Sequence, residues 1–148
     1  MISAARPEDA DAVRHLVQAA YGHYVARIGK PPGPMMDDYH QRIRDGQTWV
    51  LEDGAQLAGV LVLEDAGDDA LLLDNVAVAP SAQGKGYGRM LVAFAEQEAR
   101  RRGYGALQLY TNVMMTENLA LYGRLGFSET GRVSEKGYER VYMVKRLD

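Results

Sequence analysis

Strictly alternating glycines mark the segment best suited to chemistry, the run Gln83-Gly-Lys-Gly-Tyr-Gly88. An apolar, strand-like segment at 70–78 comes before this run, and a helix-forming segment follows it at once. In that setting the free backbone N–H groups of the loop and the positive end of the helix dipole point at one place. We therefore predict that residues 83–88, the glycine loop, bind an anion such as a phosphate or pyrophosphate.

The spacing of the glycines argues against two common phosphate motifs. G-x-x-x-x-G-K-[ST] is absent because Lys85 is followed by Gly86, and G-x-G-x-x-G is absent because the glycines alternate. An isolated glycine cluster would be interpreted more simply as a flexible turn, and only the flanking strand and helix favour an anion site. A nucleoside triphosphatase and a dinucleotide-dependent dehydrogenase are therefore disfavoured.

Asp74 is a candidate acid–base group, because it stands in an otherwise apolar strand beside Asn75. Burial there would raise its pKa toward the range of a general base. The alternative is an aspartate near the strand end whose carboxylate is hydrogen-bonded to a neighbouring loop.

Other catalytic chemistries find little support in the residue types. His15, His23 and His40 show no metal-ligand spacing, and the chain contains no cysteine. No serine stands in a G-x-S-x-G pattern. We therefore expect no metal, and a hydrolase is disfavoured.

The composition predicts one domain over residues 1–148, with 47% hydrophobic and 25% charged residues. The net charge of -3 gives no indication of nucleic-acid binding. No apolar run approaches the roughly 20 residues that cross a membrane. Acidic residues come too early for a signal peptide, and the lack of cysteine fits a reducing compartment. We expect a cytoplasmic protein that binds neither membrane nor nucleic acid.

Hydrophobic periodicity predicts the element order βααβββαβαββ. The predicted strands are 2–5, 48–52, 57–64, 70–78, 106–112, 127–132 and 138–145, and the predicted helices are 7–27, 37–44, 86–102 and 117–125. The fourth strand, its following helix and the fifth strand would form a right-handed parallel crossover. The fold class is thus α/β (α+β), a mixed central sheet of about six or seven strands with helices on both faces.

The glycine loop resembles the acyl-CoA loop of the GNAT superfamily of acetyl-CoA-dependent N-acetyltransferases. It matches that family's pattern [QR]-x-x-G-x-[GA] at every defined place. The segment 74–80 resembles the family's fourth strand, and 118–127 resembles its N-x-x-A-x-x-x-Y-x-x-x-G-F region, although Tyr122 follows Ala120 by two residues only. The resemblance covers nearly the whole chain, most strongly from about residue 47, and implies the GNAT fold, in which strands 4 and 5 splay apart.

This resemblance implies acetyl-CoA as the co-substrate. Its pyrophosphate would be bound by Gln83, Gly84, Lys85, Gly86, Tyr87 and Gly88. Its pantetheine arm would pair with the fourth strand at Val76, Ala77 and Val78, and a backbone N–H near Val78 would polarise the thioester carbonyl. Asn118 would contact the pantetheine or the adjoining turn.

The resemblance also implies direct attack of an amine on the thioester, without an acyl-enzyme. Tyr122 matches the family tyrosine near the sulfur and would act as general acid. Asp74 would act as base or would anchor the amine, although some relatives use a water chain as base. The residues alone leave a second interpretation of Tyr122 open, a half-buried aromatic on a short amphipathic helix.

The acceptor would be a primary amine of a small molecule, an amino acid derivative or a peptide. The residues expected to line its site are Tyr21, Tyr24, Met35, Met36, Tyr39, Tyr110 and Asn112, besides Asp74. The same side chains could instead form an ordinary core. A non-catalytic acyl-CoA sensor on the same fold is the alternative function, and a homodimer is common for this resemblance.

Overall fold

Seven strands and five helices make up a mixed α/β fold in the computed structural model, which describes residues 1–147. The strands are β1 (Ile2–Ala4), β2 (Thr48–Asp53), β3 (Gln56–Gly67), β4 (Ala70–Val78), β5 (Ala106–Asn112), β6 (Ser128–Glu135) and β7 (Tyr138–Arg146). The helices are α1 (Ala10–Tyr21), α2 (Tyr24–Ile28), α3 (Tyr39–Arg44), α4 (Tyr87–Arg101) and α5 (Thr116–Arg124). The strand order in the sheet is β1-β2-β3-β4-β5-β7-β6, which confirms the predicted fold class.

The strands β4 and β5 pair in parallel, because α4 carries the chain back between them. This ladder runs from Ala70↔Ala106 to Leu72↔Gln108. Residues 73–78 of β4 lie beyond it, as the expected splay requires. The pairs β1–β2, β2–β3, β5–β7 and β6–β7 are antiparallel.

The chain divides into two compact units, and the three boundaries fall inside β3, β4 and α4. Unit 1 comprises Met1–Leu63 and Asn75–Phe94. Its core includes the apolar stripe of α1, where Val13 and Val17 are fully buried, and the start of α4, where Leu91 is fully buried. Trp49 on β2 packs on Phe94 with ring centroids 5.8 Å apart.

Unit 2 comprises Glu64–Asp74 and the chain from Ala95 onward. Its core is built from alternate apolar residues of its strands, because successive strand side chains point to opposite faces. The buried members include Leu71 and Leu73 of β4, Leu107 and Leu109 of β5, and Val141 and Met143 of β7. The intervening residues Gln108, Tyr110 and Tyr142 carry polar groups, whereas Leu72 is apolar and is also buried.

The long first helix predicted at 7–27 is interrupted in the structure. A 3-10 turn (Pro7–Asp9) precedes α1, and Gly22-His23 separates α1 from α2. Glycine is a poor helix former, and a second glycine, Gly29 with φ 92°, ends α2 in the left-handed conformation. The helix predicted at 37–44 begins at Tyr39, because the Asp38 carboxylate caps it by accepting the Gln41 N–H at 3.2 Å.

The hairpin between β3 and β4 is tighter than the sequence suggested. Its turn consists of Asp68 and Asp69, with φ of 51° and 61°. Positive φ at both residues is the conformation of a type I′ turn, which matches the twist of paired strands. Glycine or asparagine usually signals this turn, so β3 was predicted to end at residue 64 rather than at Gly67.

Candidate functional site

The glycine loop lies in unit 1 directly after a 3-10 turn (Pro80–Ala82), and its last two residues form the start of α4. Gly84 and Gly86 have φ of 86° and 82°, a conformation that L side chains rarely adopt. A Cβ at either glycine would meet no atom within 4 Å. The glycines are therefore required by the backbone conformation and not by crowding from the protein, and the space beside them is open to a ligand.

Two side chains of the glycine loop are held by one carboxylate oxygen. The Tyr87 hydroxyl donates to Asp53 Oδ2 at 2.7 Å, and Lys85 Nζ donates to the same oxygen at 3.4 Å. The hydrogen bond from Tyr87 lowers the pKa of Asp53 most, and the hydrogen bond from Lys85 lowers it further. The Tyr87–Asp53 hydrogen bond also raises the pKa of Tyr87. The sequence analysis did not predict this contact.

The main chain of β4 beyond the parallel ladder has its own partners in unit 1. The Val76 carbonyl accepts a hydrogen bond from the Tyr21 hydroxyl at 2.9 Å. The Val78 carbonyl accepts one from Gln83 Nε2 at 3.5 Å. Val76 and Val78 are half-buried, and Ala77 between them is buried.

A buried hydrogen-bond network surrounds Asn75. The Tyr21 hydroxyl donates to Asn75 Oδ1 at 2.8 Å, and Asn75 Nδ2 donates to the Tyr39 hydroxyl at 2.9 Å. The Tyr39 hydroxyl in turn donates to the Pro34 carbonyl at 2.5 Å. Tyr21, Asn75 and Tyr39 are exposed by only 6%, 3% and 3%. The hydroxyls of Tyr21 and Tyr39, two residues expected to line the acceptor site, thus make hydrogen bonds within unit 1.

The other acceptor-lining candidates of unit 1 have contrasting surroundings. The Tyr24 ring is buried, with the His23 ring 3.9 Å away and the Arg27 guanidinium 5.1 Å from its centroid. Met35 uses its carbonyl to accept from Gln18 Nε2 at 2.9 Å. Met36 is 71% exposed, so it is the most accessible of these candidates.

In unit 2, Asp74 and Tyr110 face the same side of the sheet. Each follows the paired residues Leu72 and Gln108 by two positions, so the strand period places them alongside each other. Burial raises the pKa of Tyr110, and the negative charge of Asp74 raises it further. A smaller contribution from Glu64 has the same sign. The structure thus brings two predicted residues together and adds Glu64, which sequence reasoning missed.

Arg140 contributes the positive charge beside Tyr110. Its guanidinium lies 4.4 Å from the centroid of the Tyr110 ring and donates to Glu135 Oε1 at 3.0 Å. The Tyr142 hydroxyl donates to that same oxygen, and the Tyr142 ring lies 5.4 Å from Tyr110. Arg140 lowers the pKa of Tyr110, opposing the carboxylates. This cation was not predicted, since only the β5–β7 pairing brings it to Tyr110.

The remaining predicted residues lie on or before α5 in unit 2. Tyr122 is buried, with its ring edge-on to Phe127 at 5.7 Å. Asn112 Oδ1 accepts the Met114 N–H at 2.9 Å and so shapes the turn that leads into α5. Asn118 is half-buried, and its backbone N–H donates to the Met115 carbonyl at 3.0 Å.

Residues 1–147 contain neither a metal-binding cluster of side chains nor a helix suited to cross a membrane. No three His, Asp or Glu side chains within this range are grouped so as to hold a metal ion. No helix in the same range combines the length and the apolar character needed to cross a membrane.

Comparison with known proteins decides the family. The family model described as "Acetyltransferase (GNAT) family" matches residues 10–127. The chain belongs to the GNAT family. Its glycine loop and α5 both lie within the matched range, as the resemblance predicted.

Among curated GNAT relatives, the uncharacterised N-acetyltransferase YvbK of Bacillus subtilis (strain 168) is 31% identical over 100 residues. That match covers 68% of this chain and 63% of YvbK. The chain therefore matches less than two thirds of the length of this relative.

Solved structures show the same fold over nearly the full chain. The ribosomal-protein-alanine N-acetyltransferase from Brucella melitensis has a TM-score of 0.78 and 27% identity, covering 99% of both chains. The PaiA N-acetyltransferase from Thermoplasma acidophilum, in complex with coenzyme A, has a TM-score of 0.81 and 16% identity, covering 99% of this chain and 98% of that one.

Proposed function

We propose that this GNAT protein transfers the acetyl group of acetyl-CoA directly to a primary amine of a small molecule, an amino acid derivative or a peptide. The geometry of the glycine loop carries this proposal. Gly84 and Gly86 are left-handed and open to solvent, and α4 begins immediately after them. A loop with alternating backbone conformation at a helix start is suited to a pyrophosphate, and the PaiA relative binds coenzyme A.

In this proposal the backbone of residues 83–88 binds the pyrophosphate, and β4 binds the pantetheine arm at Val76, Ala77 and Val78. The Val76 carbonyl already accepts from Tyr21, but a carbonyl oxygen has a second lone pair for a pantetheine amide. The backbone N–H near Val78 stabilises the oxyanion that forms when the thioester carbonyl is attacked. Asn118 contacts the pantetheine or the turn before it.

Asp74 accepts a proton from the acceptor ammonium, because only the neutral amine is a nucleophile. The negative charge of Asp74 acts on Tyr110 more strongly than the positive charge of Arg140 does, which supports a site beside Asp74 that attracts an ammonium group. Since burial and the charges of Asp74 and Glu64 raise the pKa of Tyr110, its phenol stays protonated at neutral pH and can donate a hydrogen bond to the acceptor. A water chain that carries the proton away is the alternative to Asp74.

Tyr122 completes the reaction as general acid. The nitrogen–carbon bond forms, the carbon–sulfur bond breaks, and the CoA thiolate takes the proton of the Tyr122 hydroxyl. The Tyr122 phenolate then takes the second proton that the acceptor nitrogen loses as it becomes an amide, which restores the hydroxyl. The edge-on contact with Phe127 supports this role, because it holds the ring in one orientation. No covalent acyl-enzyme is needed, which fits the absence of cysteine and of a G-x-S-x-G serine.

Thiol release from acetyl-CoA in the presence of an amine panel tests the proposal. We expect release that depends on the amine for the wild type, and a Tyr122→Phe variant with a much lower kcat but nearly unchanged acetyl-CoA binding. Tight CoA binding with no turnover on a broad panel would instead identify a sensor. A protein that binds no CoA would contradict the proposal altogether.

Primary amines of small molecules, amino acid derivatives and peptides are all candidate acceptors. The Brucella relative is named for alanine on a ribosomal protein, which favours including a peptide terminus in the panel beside free amino acid derivatives and small amines. The cytoplasmic location and the homodimer expected from the sequence stay predictions.

A further inference from the structure

Asp53 is the last residue of β2, far in sequence from the glycine loop that it contacts. Its Oδ2 atom is the acceptor for both Lys85 Nζ and the Tyr87 hydroxyl. Lys85 is the one charged residue of the loop at residues 83–88. The carboxylate therefore holds the loop's only formal positive charge, in a loop whose proposed task is to bind an anion.

The ion pair between Asp53 and Lys85 is weak enough for a phosphate to replace Asp53 as the partner of Lys85. Its atoms are 3.4 Å apart, and the two side chains are 45% and 55% exposed. Exposed ion pairs of this kind are weak, because water and salt screen both charges. A phosphate arriving at the loop would thus compete with the carboxylate for Lys85 on nearly equal terms.

We propose that Asp53 competes with the phosphates of CoA for Lys85 and so limits how tightly the glycine loop binds CoA. This inference rests on the proposed function. Lys85 leaves Asp53 when a phosphate is bound and returns when CoA departs. The carboxylate then also repels the departing anion, so Asp53 favours release of the CoA product.

Removal of the carboxylate charge should strengthen ligand binding, which is the opposite of what loss of a purely structural contact would do. For Asp53→Asn we expect the Kd for CoA to fall about fivefold at low ionic strength, the most that an exposed pair typically contributes. Because the interaction is electrostatic, the gain should largely disappear in about 0.5 M salt. Glu52→Gln is the matched control, since it removes the same charge from the neighbouring exposed position, and it should change the Kd less than twofold.

A double-mutant cycle assigns the effect to Lys85. Calorimetric titration of CoA into the wild type, Asp53→Asn, Lys85→Met and the double variant measures the coupling between the two side chains. In the Lys85→Met background, Asp53→Asn should gain less than half as much affinity. Thermal unfolding of each variant checks that it is folded at the titration temperature.

The outcomes separate the two proposals. If the wild type binds CoA but Asp53→Asn binds it equally or more weakly, the role of Asp53 is refuted while the proposed function stands. An equal gain with and without Lys85 would also refute the competition. If the wild type binds no CoA, the proposed function fails and this inference fails with it.

Discussion

Replacement of Tyr21 by phenylalanine tests how the buried network in unit 1 supports β4. The Tyr21 hydroxyl has one proton but two acceptors within reach, Asn75 Oδ1 at 2.8 Å and the Val76 carbonyl at 2.9 Å. The donor and Asn75 are almost completely buried. After substitution, Asn75 Oδ1 cannot recover a donor from bulk water without opening the structure.

The magnitude follows from counting donors. One hydroxyl proton can satisfy one acceptor at a time, so the substitution removes one hydrogen bond and leaves one buried acceptor unsatisfied. That costs about 1–2 kcal/mol, within the range typical of a broken buried network. For a chain of this size each kcal/mol lowers Tm by roughly 2–4 °C, so we expect a loss of roughly 2–8 °C.

Urea or thermal unfolding measures the loss, and Tyr104→Phe is the control. The Tyr104 hydroxyl makes no hydrogen bond to any of residues 1–147, so this variant removes the same oxygen atom at little cost in stability. If Tyr21→Phe unfolds with the same free energy as the wild type, or if both variants lose equal stability, the network does not stabilise the fold as described.

Three further variants test separate parts of the structure. Gly86→Ala should lower the free energy of unfolding by about 1 kcal/mol because of the left-handed φ of 82°, and it should also bind CoA more weakly in a titration. The control Gly103→Ala, at φ 83°, should lose similar stability with unchanged CoA binding. Equal CoA binding by both variants would contradict the assignment of the glycine loop as the CoA site. Thr48→Val should raise the free energy of unfolding by about 1 kcal/mol, because the buried Thr48 hydroxyl has no hydrogen-bond partner among residues 1–147; a loss would show that the hydroxyl is satisfied. Asp74→Asn should lower the pKa of Tyr110, since phenolate formation is then no longer opposed by the Asp74 charge. In the wild type the raised pKa of Tyr110 stabilises the fold below about pH 10 relative to higher pH. A Tyr110 titration by NMR that is unchanged in the variant would contradict the interaction between Asp74 and Tyr110.

The parts of the fold that sequence predicted best are those with a strong local signal. β4 and β5 have the predicted bounds, because β4 is a nearly continuous apolar run and β5 alternates Leu107 and Leu109 with more polar residues, and both patterns are typical of strands. The glycine loop was found because its positive-φ positions require glycine and leave a mark in the sequence.

What sequence missed depends on contacts between distant segments. The Asp53–Tyr87 hydrogen bond joins residues 34 positions apart, and the Tyr21–Asn75 bond joins residues 54 apart. No local pattern distinguishes such an aspartate from an ordinary turn residue. Asn75 did carry a signal, since a buried amide in an apolar strand needs hydrogen-bond partners, but the sequence cannot name those partners before the fold is known.

A crystal structure of the protein with CoA tests the central claim most directly. We expect the pyrophosphate oxygens to accept hydrogen bonds from backbone N–H groups of residues 83–88, with N···O distances of about 2.7–3.2 Å. A CoA molecule whose pyrophosphate lies elsewhere on the protein, with these N–H groups unused, would contradict the assignment of the glycine loop as the acetyl-CoA site.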